Sequence, residues 1–226
     1  MFAIQKNAHE KEYAEKIIST ITRSVDYIIE NHDMHYNINR TFGHGMIDRL
    51  HYLMQTEYYL LEFNKRYHFL NDKQILELEK YWDKDVYWIR SNQTEDGGWH
   101  EVDKVRSRIG TSADAIRGIN LNGTCKECLT QGIIFIIRNQ NTYDGYWETG
   151  NIDKTTDALK ALINSRRIIN DPDICALIDE SIIKGTLWLV ANFDNAEKLE
   201  ENEYDLLTVT IDFEKVIINK ETIEFV

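Results

Sequence analysis

One short phrase occurs twice near the middle of the chain and constrains the fold more than any other feature. Asp96-Gly97-Gly98-Trp99 returns as Asp144-Gly145-Tyr146-Trp147, and each copy follows a helix-like segment that ends in Asn-Gln. After each copy a helical segment restarts, with an Asp two residues after a Ser or Thr, at Asp114 and at Asp157. The copies lie 43 to 48 residues apart. A repeat of this length that holds two helices predicts stacked helical hairpins.

Two fainter copies flank this central pair. An aromatic residue stands four positions before an Asn in all four copies, at Tyr27/Asn31, Trp88/Asn92, Phe135/Asn139 and Trp188/Asn192. Each copy then restarts at an Asp, namely Asp48, Asp114, Asp157 or Asp205. We therefore predict a single domain over residues 1–226, built from hairpins at about 10–70, 72–122, 124–169 and 172–219. Chance similarity among amphipathic helices is the alternative, and it weighs more for the outer copies.

The rest of the sequence favours an all-α fold. The chain has a single proline, and the pair Asp171-Pro172 is typical of a helix N-terminus. The stretch from Glu10 to Asn31 carries apolar residues at helical spacing. The last residues, TVTIDFEKVIINKETIEFV, alternate and are rich in β-branched side chains, which leaves open a short C-terminal β-hairpin.

Charge and apolar runs narrow the partners and the location. The chain has 38 acidic and 26 basic residues and a formal net charge of -12. Such a surface repels phosphate backbones and anionic lipid heads, so we expect no nucleic-acid partner. No apolar run has the length of a signal peptide or a transmembrane helix, and three cysteines do not make a disulfide scaffold. We predict a soluble cytoplasmic protein.

The repeat resembles that of the terpenoid cyclase and protein prenyltransferase superfamily. The shared pattern is aromatic-x-x-x-Asn-Gln, then Asp-Gly-x-Trp, then Ser/Thr-x-Asp-Ala-Leu/Ile, and it is clearest over residues 81–169. The resemblance implies an α/α toroid of outer and inner helices, with active-site groups where the inner helices begin. Four hairpins are fewer than a closed toroid of this family usually has. An incomplete ring is therefore an alternative to a closed one, and a partner protein, a second copy or the C-terminal segment would then complete it.

The Gly-x-Trp loops have a structural and a ligand-binding interpretation. The glycines let the chain reverse between two helices, the Trp lies against the end of the outer helix, and the Gln bonds to backbone groups at the turn. On this interpretation Gln93, Trp99, Gln140 and Trp147 are structural clamps. The alternative places Trp99 and Trp147 against a bound substrate.

The candidate catalytic residues are acids at the starts of the predicted inner helices. The resemblance implies a carboxylic acid, from an Asp-x-Asp-Asp motif, that protonates an alkene or epoxide and needs an apolar site to stay protonated. Here a single Asp stands at each matching position, Asp114 and Asp157, and Asp153 lies one turn before the latter. The alternative is that Asp114 and Asp157 are first-turn acids that the helix dipole favours.

Two groups of residues invite comparison with metal sites. Cys125 and Cys128 are one helical turn apart, but no His follows at the spacing of the zinc-dependent prenyltransferases, so core or interface cysteines are the alternative. His32, His35, His44 and His51 lie near Asp33 and Asp48. His44 and Asp48 are candidates for substrate binding within a metal or acid–base cluster, and exposed loop histidines are the alternative. No cofactor is predicted, while zinc and magnesium stay open.

Two functions agree with these features. In the first, a small terpenoid-cyclase-like or prenyltransferase-like enzyme binds an isoprenoid-type apolar substrate and cyclises or transfers it, with an inner-helix Asp as acid. In the second, a catalytically silent toroid serves as a protein-binding or assembly module. A deep apolar cavity that reaches Asp114 or Asp157 favours the enzyme, and a filled centre favours the module.

Overall fold

A computed structural model describes the backbone of residues 8–32, 46–100, 107–121, 125–196, 216–219 and 222–225. Helices dominate these ranges, which confirms the predicted all-α class. The helices are α1 (Ala8–Asn31), α2 (Met46–Tyr67), α3 (Asp72–Ser91), α4 (Ile109–Ile119), α5 (Lys126–Arg138), α6 (Ile152–Arg166) and α7 (Pro172–Ala196), with a 3-10 turn at Glu148–Gly150. Within the described ranges, no helix combines the length and the apolarity that crossing a bilayer requires.

The C-terminal residues contain the short hairpin that the alternating sequence left open. Strand β1 (Val216–Asn219) pairs antiparallel with strand β2 (Thr222–Phe225). Val216 lies opposite Phe225, and Asn219 lies opposite Thr222.

The helices form two rows, one of even-numbered and one of odd-numbered helices. In the even row, α4 packs between α2 and α6. In the odd row, α1 contacts α3, Gln93 after α3 bonds to α5, and α5 contacts α7. Ten of the eleven residues of α4 are buried because this helix has neighbours on both sides. The two rows alternate along the chain as expected of helical hairpins, while the assignment of inner and outer helices and the closure into a toroid stay predictions.

The two Asp-Gly-x-Trp loops have the same backbone conformation at their first glycine. Gly97 has φ +88° and Gly145 has φ +86°, a region that side chains with a Cβ rarely occupy. A Cβ on Gly97 would lie 2.7 Å from the carbonyl oxygen of Gln131, and one on Gly145 would lie 2.5 Å from that of Lys184. Glycine is therefore required twice, for the turn itself and for the close approach of the next odd helix.

Each loop ends with a Trp that is fully buried. The Trp99 indole N–H donates to the Ile89 carbonyl oxygen at 2.8 Å, and the Trp147 indole N–H donates to that of Ile136 at 2.8 Å. The indoles thereby give a second donor to carbonyls near the C-termini of α3 and α5, which also accept 3.2 Å bonds from the backbone N–H groups of Asn92 and Asn139. The predicted position of each Trp against the end of its preceding helix is confirmed.

The amide of the repeat Gln joins three segments. Gln93 Nε2 donates to the carbonyl oxygens of Gly97 and Cys128, at 2.8 and 2.9 Å. Gln140 makes the equivalent bonds to Gly145 and Ser181, at the same distances. The predicted bond to the turn is confirmed, and the second bond, to the next odd helix, was not predicted.

A glycine on each following odd helix makes room for the Trp. A Cβ on Gly132 of α5 would lie 2.7 Å from the Trp99 ring, and one on Gly185 of α7 would lie 2.8 Å from the Trp147 ring. We call these two positions the glycine notches. Each notch lets the backbone of an odd helix touch the indole of the preceding hairpin.

All four proposed copies share one side-chain contact. The Asn amide nitrogen donates to the carbonyl oxygen of the aromatic residue four positions earlier, at 2.8 Å, in Tyr27/Asn31, Trp88/Asn92, Phe135/Asn139 and Trp188/Asn192. The contact lies at the C-terminal ends of α1, α3 and α5 and inside α7, so the two outer copies that matched only faintly in sequence share it.

The cysteines differ from expectation. Cys125 and Cys128 form a disulfide bond instead of lying as separate core or interface thiols, while Cys175 is free and buried. Cys125 is the N-cap of α5, so one turn of helix brings the two Cα atoms to 5.4 Å, a usual separation for a disulfide. Because both sulfurs are bonded to each other, this pair offers no thiolate to a metal in this structure.

Candidate functional site

Charged side chains from all three even helices meet in one cluster. His51 comes from α2, Asp114 and Arg117 from α4, and Lys154 and Asp157 from α6, and we call these residues, with Asp153, the even-row cluster. Arg117 Nη1 lies 3.1 Å from Asp114 Oδ1 and 4.0 Å from Asp157 Oδ1. The structure therefore brings the two candidate acids of the sequence to the same guanidinium.

Lys154 closes the cluster on the other side of Asp157. Its ammonium lies 3.0 Å from Asp153 Oδ2 and 3.5 Å from Asp157 Oδ2. Burial lowers the pKa of Lys154, but the hydrogen bonds and charges of the two aspartates outweigh it and raise that pKa overall. A Cβ on Gly110 would lie 2.8 Å from Lys154 Nζ, so a glycine at the start of α4 makes room for the lysine.

The pKa of the Asp157 carboxyl lies above the ordinary value for an aspartate. Burial and, after it, the negative charge of Asp153 raise the pKa of Asp157, while Lys154 and Arg117 oppose the shift without cancelling it. Its side chain is 17% exposed, so the group is close to solvent without being surrounded by it. A carboxyl in such a place holds its proton to a higher pH than an ordinary aspartate and can deliver it to a bound molecule.

The helix-dipole interpretation of the two acids was wrong in its geometry. The interpretation requires both acids to lie in the first turn of their helices, but α4 begins at Ile109. Asp114 therefore lies in the second turn of α4, and Asp157 lies in the second turn of α6, which begins at Ile152. The dipole effect fades beyond the first turn, so neither Asp is placed to benefit from it. Asp153 is the acid in the first turn of α6.

The Ser or Thr two residues before each Asp accepts a hydrogen bond from the backbone N–H of a clamp Trp. Trp99 N donates to Ser112 Oγ at 2.9 Å, and Trp147 N donates to Thr155 Oγ1 at 3.2 Å. The hydroxyl thus fastens the loop to the first turn of the following even helix. The phrase Ser/Thr-x-Asp combines a structural residue with a member of the even-row cluster.

Of the four candidate substrate-binding residues, two have described side chains, Trp99 and Trp147. Trp99 and Trp147 have no exposed surface, so contact with a substrate there would require the loops to open. His44 lies outside the described residues. Asp48 lies in the first turn of α2, and its side chain is outside the described part of the structure.

Of the four candidate histidines, His32 and His51 have described side chains, and both are buried, which corrects the expectation of exposed loop histidines for these two. His51 and His32 both have no exposed surface. His51 Nδ1 lies 3.5 Å from Asp114 Oδ1, so this histidine belongs to the even-row cluster. His32 belongs to a different group, which it forms with Glu57 and Asp85. Both histidines therefore lie close to acidic side chains of other helices, while Asp33 and the side chain of Asp48 lie outside the described residues.

His32, Glu57 and Asp85 form a second group, which we call the buried triad. His32 Nε2 lies 3.2 Å from Asp85 Oδ1 and 3.5 Å from Glu57 Oε1, and none of the three side chains is exposed. Tyr81 stacks on the His32 ring, with centroids 3.8 Å apart. Burial, followed by the charge of Asp85, raises the pKa of Glu57 to about 9.

Sequence reasoning missed two members of this triad, although a signal was present. Leu78, Trp82, Asp85 and Ile89 occupy one face of α3 at helical spacing and are all buried. Glu57 follows Leu50, Leu53 and Met54 on a buried face of α2 in the same way. An acid that interrupts an apolar face is costly unless it is paired, so its position alone indicates a partner.

Searches of protein-family models and of curated proteins with this sequence return no match.

Proposed function

We propose that this chain is a terpenoid-cyclase-like helical domain, that the even-row cluster is its reaction site, and that Asp157 is the acid. One observation carries the proposal: the mostly buried Asp157 carboxyl lies beside Asp153, and its pKa is raised. Acids that donate protons near neutral pH are tuned in this way, by burial and by a neighbouring negative charge.

Asp157 is the better acid of the two candidates because of their partners. The Asp114 oxygen lies 3.1 Å from Arg117, and a guanidinium that stays protonated favours the carboxylate form of its partner. Asp157 is 4.0 Å from the same guanidinium. Asp114 then serves to hold Arg117 in place, and His51 Nδ1 lies 3.5 Å from the same Asp114 oxygen.

The reaction implied by the resemblance is an acid-initiated isomerisation. Asp157 gives its proton to the terminal alkene or epoxide of an isoprenoid-type substrate, and the π electrons of the chain close a ring onto the resulting cation. The last cation loses a proton to water, and the Asp157 carboxylate takes up a proton from water, which regenerates the acid. Atoms balance without an oxidant, a reductant or a metal. The apolar substrate rests on the resemblance, and the acid rests on the environment of Asp157.

Product analysis tests this proposal. The full chain is incubated with linear polyprenes that end in an alkene or an epoxide, and products are identified by gas chromatography and mass spectrometry. We expect cyclic isomers of unchanged mass, and a loss of at least about 100-fold in rate for Asp157→Asn. Asp83→Asn, at an exposed aspartate of α3, is the control and should keep the parent rate. Full turnover in Asp157→Asn, or no isomer from any polyprene, rejects the assignment.

An assembly module is the second candidate, and exposed apolar surface favours it. Four aromatic side chains of α2, spaced at 7, 4 and 4 residues, are 42–56% exposed: Tyr52, Tyr59, Phe63 and Tyr67. On α7, Leu177, Leu187 and Val190 are 46–57% exposed. Aligned exposed apolar residues mark interaction surfaces more often than scattered ones do. In this candidate the aromatic stripe of α2 meets the aliphatic residues of α7 on a second copy of the chain.

Sedimentation velocity at low and high salt distinguishes this candidate. The formal net charge of -12 opposes the approach of two copies, so association should strengthen as salt screens the repulsion. Phe63→Lys should abolish the associated species, whereas Tyr143→Lys, at a side chain that is 95% exposed in a loop, should not. A monomer at all salt concentrations counts against association through α2.

A further inference from the structure

The buried triad has the composition of a metal site and one member that lacks a hydrogen-bond partner. His32 lies at the end of α1, Glu57 on α2 and Asp85 on α3, so three helices each contribute one side chain. The His nitrogen and one oxygen of each carboxylate lie within 4.8 Å of one another. Both oxygens of Glu57 are buried without a hydrogen-bond partner.

Two of the three side chains of the triad are acids and one is a base. When both carboxyls are ionised, they carry two negative charges, and a single imidazolium supplies at most one positive charge. The His32 nitrogen that faces them is closest to Asp85, at 3.2 Å, which leaves Glu57 at 3.5 Å as the less well compensated group. A divalent cation between the three side chains would neutralise both carboxylates and give each Glu57 oxygen a positive neighbour.

The repeat itself marks this position as unusual. The glycine notches on α5 and α7 each stand seven residues before the Asn of their copy, and Asp85 occupies the equivalent position on α3. On α5 and α7 this position receives the Trp of the preceding hairpin. On α3 the same place holds three polar side chains instead of an indole, and packing alone does not require such an exchange.

We propose that His32, Glu57 and Asp85 bind one divalent transition-metal ion, for which zinc is the fitting probe. In a tetrahedral zinc centre with bonds of about 2.1 Å, neighbouring ligand atoms are about 3.4 Å apart. The distances from His32 Nε2 to the two carboxylates, 3.2 and 3.5 Å, bracket that value. An imidazole ligand favours zinc over magnesium, which prefers oxygen ligands and several waters.

The ion would fasten the first hairpin to the second. The three ligands come from α1, α2 and α3, where later hairpins are fastened by Trp99 and Trp147. Three protein ligands leave a fourth position for water or another donor. The inference is independent of the acid function proposed for Asp157, since it uses different residues and a different readout.

Titration of the chelator-treated full chain with zinc tests the site. We expect one zinc ion per chain and a rise in Tm of about 5–10 °C at a free zinc concentration of 100 times Kd. The same concentration of magnesium should leave Tm unchanged. The disulfide is kept oxidised, and a cobalt complex without a sulfur-to-metal charge-transfer band shows that Cys125 and Cys128 are not the ligands.

Variants decide whether the triad is the site. Glu57→Gln and Asp85→Asn should each weaken zinc binding by at least about 100-fold. Glu62→Gln, at a partly exposed glutamate of α2, is the matched control and should bind zinc like the parent. Far-UV circular dichroism and the Tm of the zinc-free proteins show whether each variant is folded. If a folded Glu57→Gln or Asp85→Asn keeps the full zinc-induced rise, or if the parent shows no such rise, the proposal is overturned.

Discussion

Asp157 is surrounded by charges of both signs, and burial decides the balance among them. Burial and Asp153 outweigh the two cations and disfavour the carboxylate. We therefore expect Asp157→Asn to leave the free energy of unfolding at neutral pH unchanged or to raise it by up to about 1 kcal/mol, since the amide removes a charge that is poorly solvated. Urea titration measures this difference, with Asp83→Asn as the exposed control. A clear loss of stability in Asp157→Asn would show that the carboxylate is a net stabilising partner of Lys154.

The same residue gives the stability a defined dependence on pH. The ordinary pKa of an aspartate is 3.8, and that of Asp157 in the folded chain lies higher. The folded chain therefore holds this proton more tightly, and its contribution to stability is full below pH 3.8 and is lost as pH rises through the folded pKa. The stability of Asp157→Asn relative to the parent should rise over that interval and then stay constant. Urea titrations of the parent and of Asp157→Asn at a series of pH values from roughly 3 to 8 measure this difference in the free energy of unfolding. If the pKa of Asp157 is not raised, the difference should not change with pH in this way.

The first glycine of each repeated loop is required for two separate reasons, its positive φ and the close approach of a neighbouring helix. Gly97→Ala and Gly145→Ala should each lower the free energy of unfolding by about 2 kcal/mol or more, because positive φ and overpacking both oppose a methyl group. Gly150→Ala is the matched control, since Gly150 has φ +78° but its nearest atom would lie 3.3 Å from the new Cβ. Thermal or urea unfolding of the three variants should rank Gly150→Ala as the mildest. Equal losses would mean that close approach contributes nothing.

At this scale the sequence predicted residue types better than residue partners. Asp114 and Asp157 stood out because the repeat aligned them, and the structure brings both to Arg117. Glu57 and Asp85 were missed because their partner, His32, lies on another helix and no sequence pattern joins the three. A helical period shows which face is buried, but it does not show which of three or four neighbouring helices faces that side chain.

At the scale of elements, the Trp clamps connect each loop to two helices. Trp99→Ala and Trp147→Ala should each cost about 3–5 kcal/mol, as usual for aromatic truncation in a core, and both indoles have no exposed surface. Tyr143→Ala, in the second loop, should change the free energy of unfolding by less than about 0.5 kcal/mol. Equilibrium unfolding in urea measures all three. If the Trp variants match Tyr143→Ala, the clamp interpretation fails.

The start of α4 shows why the ends of helices are difficult to predict from the sequence. Its N-cap, Arg108, offers no side-chain cap, and the backbone N–H of Ile109 donates instead to Glu148 Oε1 at 2.9 Å. Glu148 belongs to the loop before α6, 39 residues later. Capping rules consider only the residues next to the helix start. A cap that another hairpin supplies can therefore move the helix start without any signal in the adjacent sequence.

At the scale of the whole molecule, the two rows predict a gradient of local stability. α4 is buried along its length between two helices, whereas α1 contacts α3 at one end of the odd row and has exposed residues over most of its described side chains. We expect native-state amide hydrogen exchange to be slowest in α4 and fastest in α1. Mass-spectrometric exchange of the full chain measures both. Equal protection of α1 and α4 would contradict a row-like arrangement with an open end.

The repeat made the layered helical architecture predictable, because a period with two helices permits few other arrangements. Curvature was not predictable in the same way. It depends on small rotations between neighbouring hairpins, which side-chain sizes such as Gly132 against Trp99 set through packing. Ring closure and the isoprenoid substrate therefore stay predictions drawn from the resemblance.

The glycine notches have a consequence for how such a chain can be lengthened. Trp99 is received by Gly132, and Trp147 is received by Gly185, so the hairpin of α5 and α6, which carries Gly132 and Trp147, presents a recess on one side and a matching protrusion on the other. A duplicated segment that carries both features can be inserted between existing copies and still fit its two neighbours. A segment cut so that it carries only one would bring an indole against a Cβ or leave a recess empty. Gene duplication, or the design of longer arrays, is thereby limited to units that keep one Trp loop together with one glycine-bearing helix.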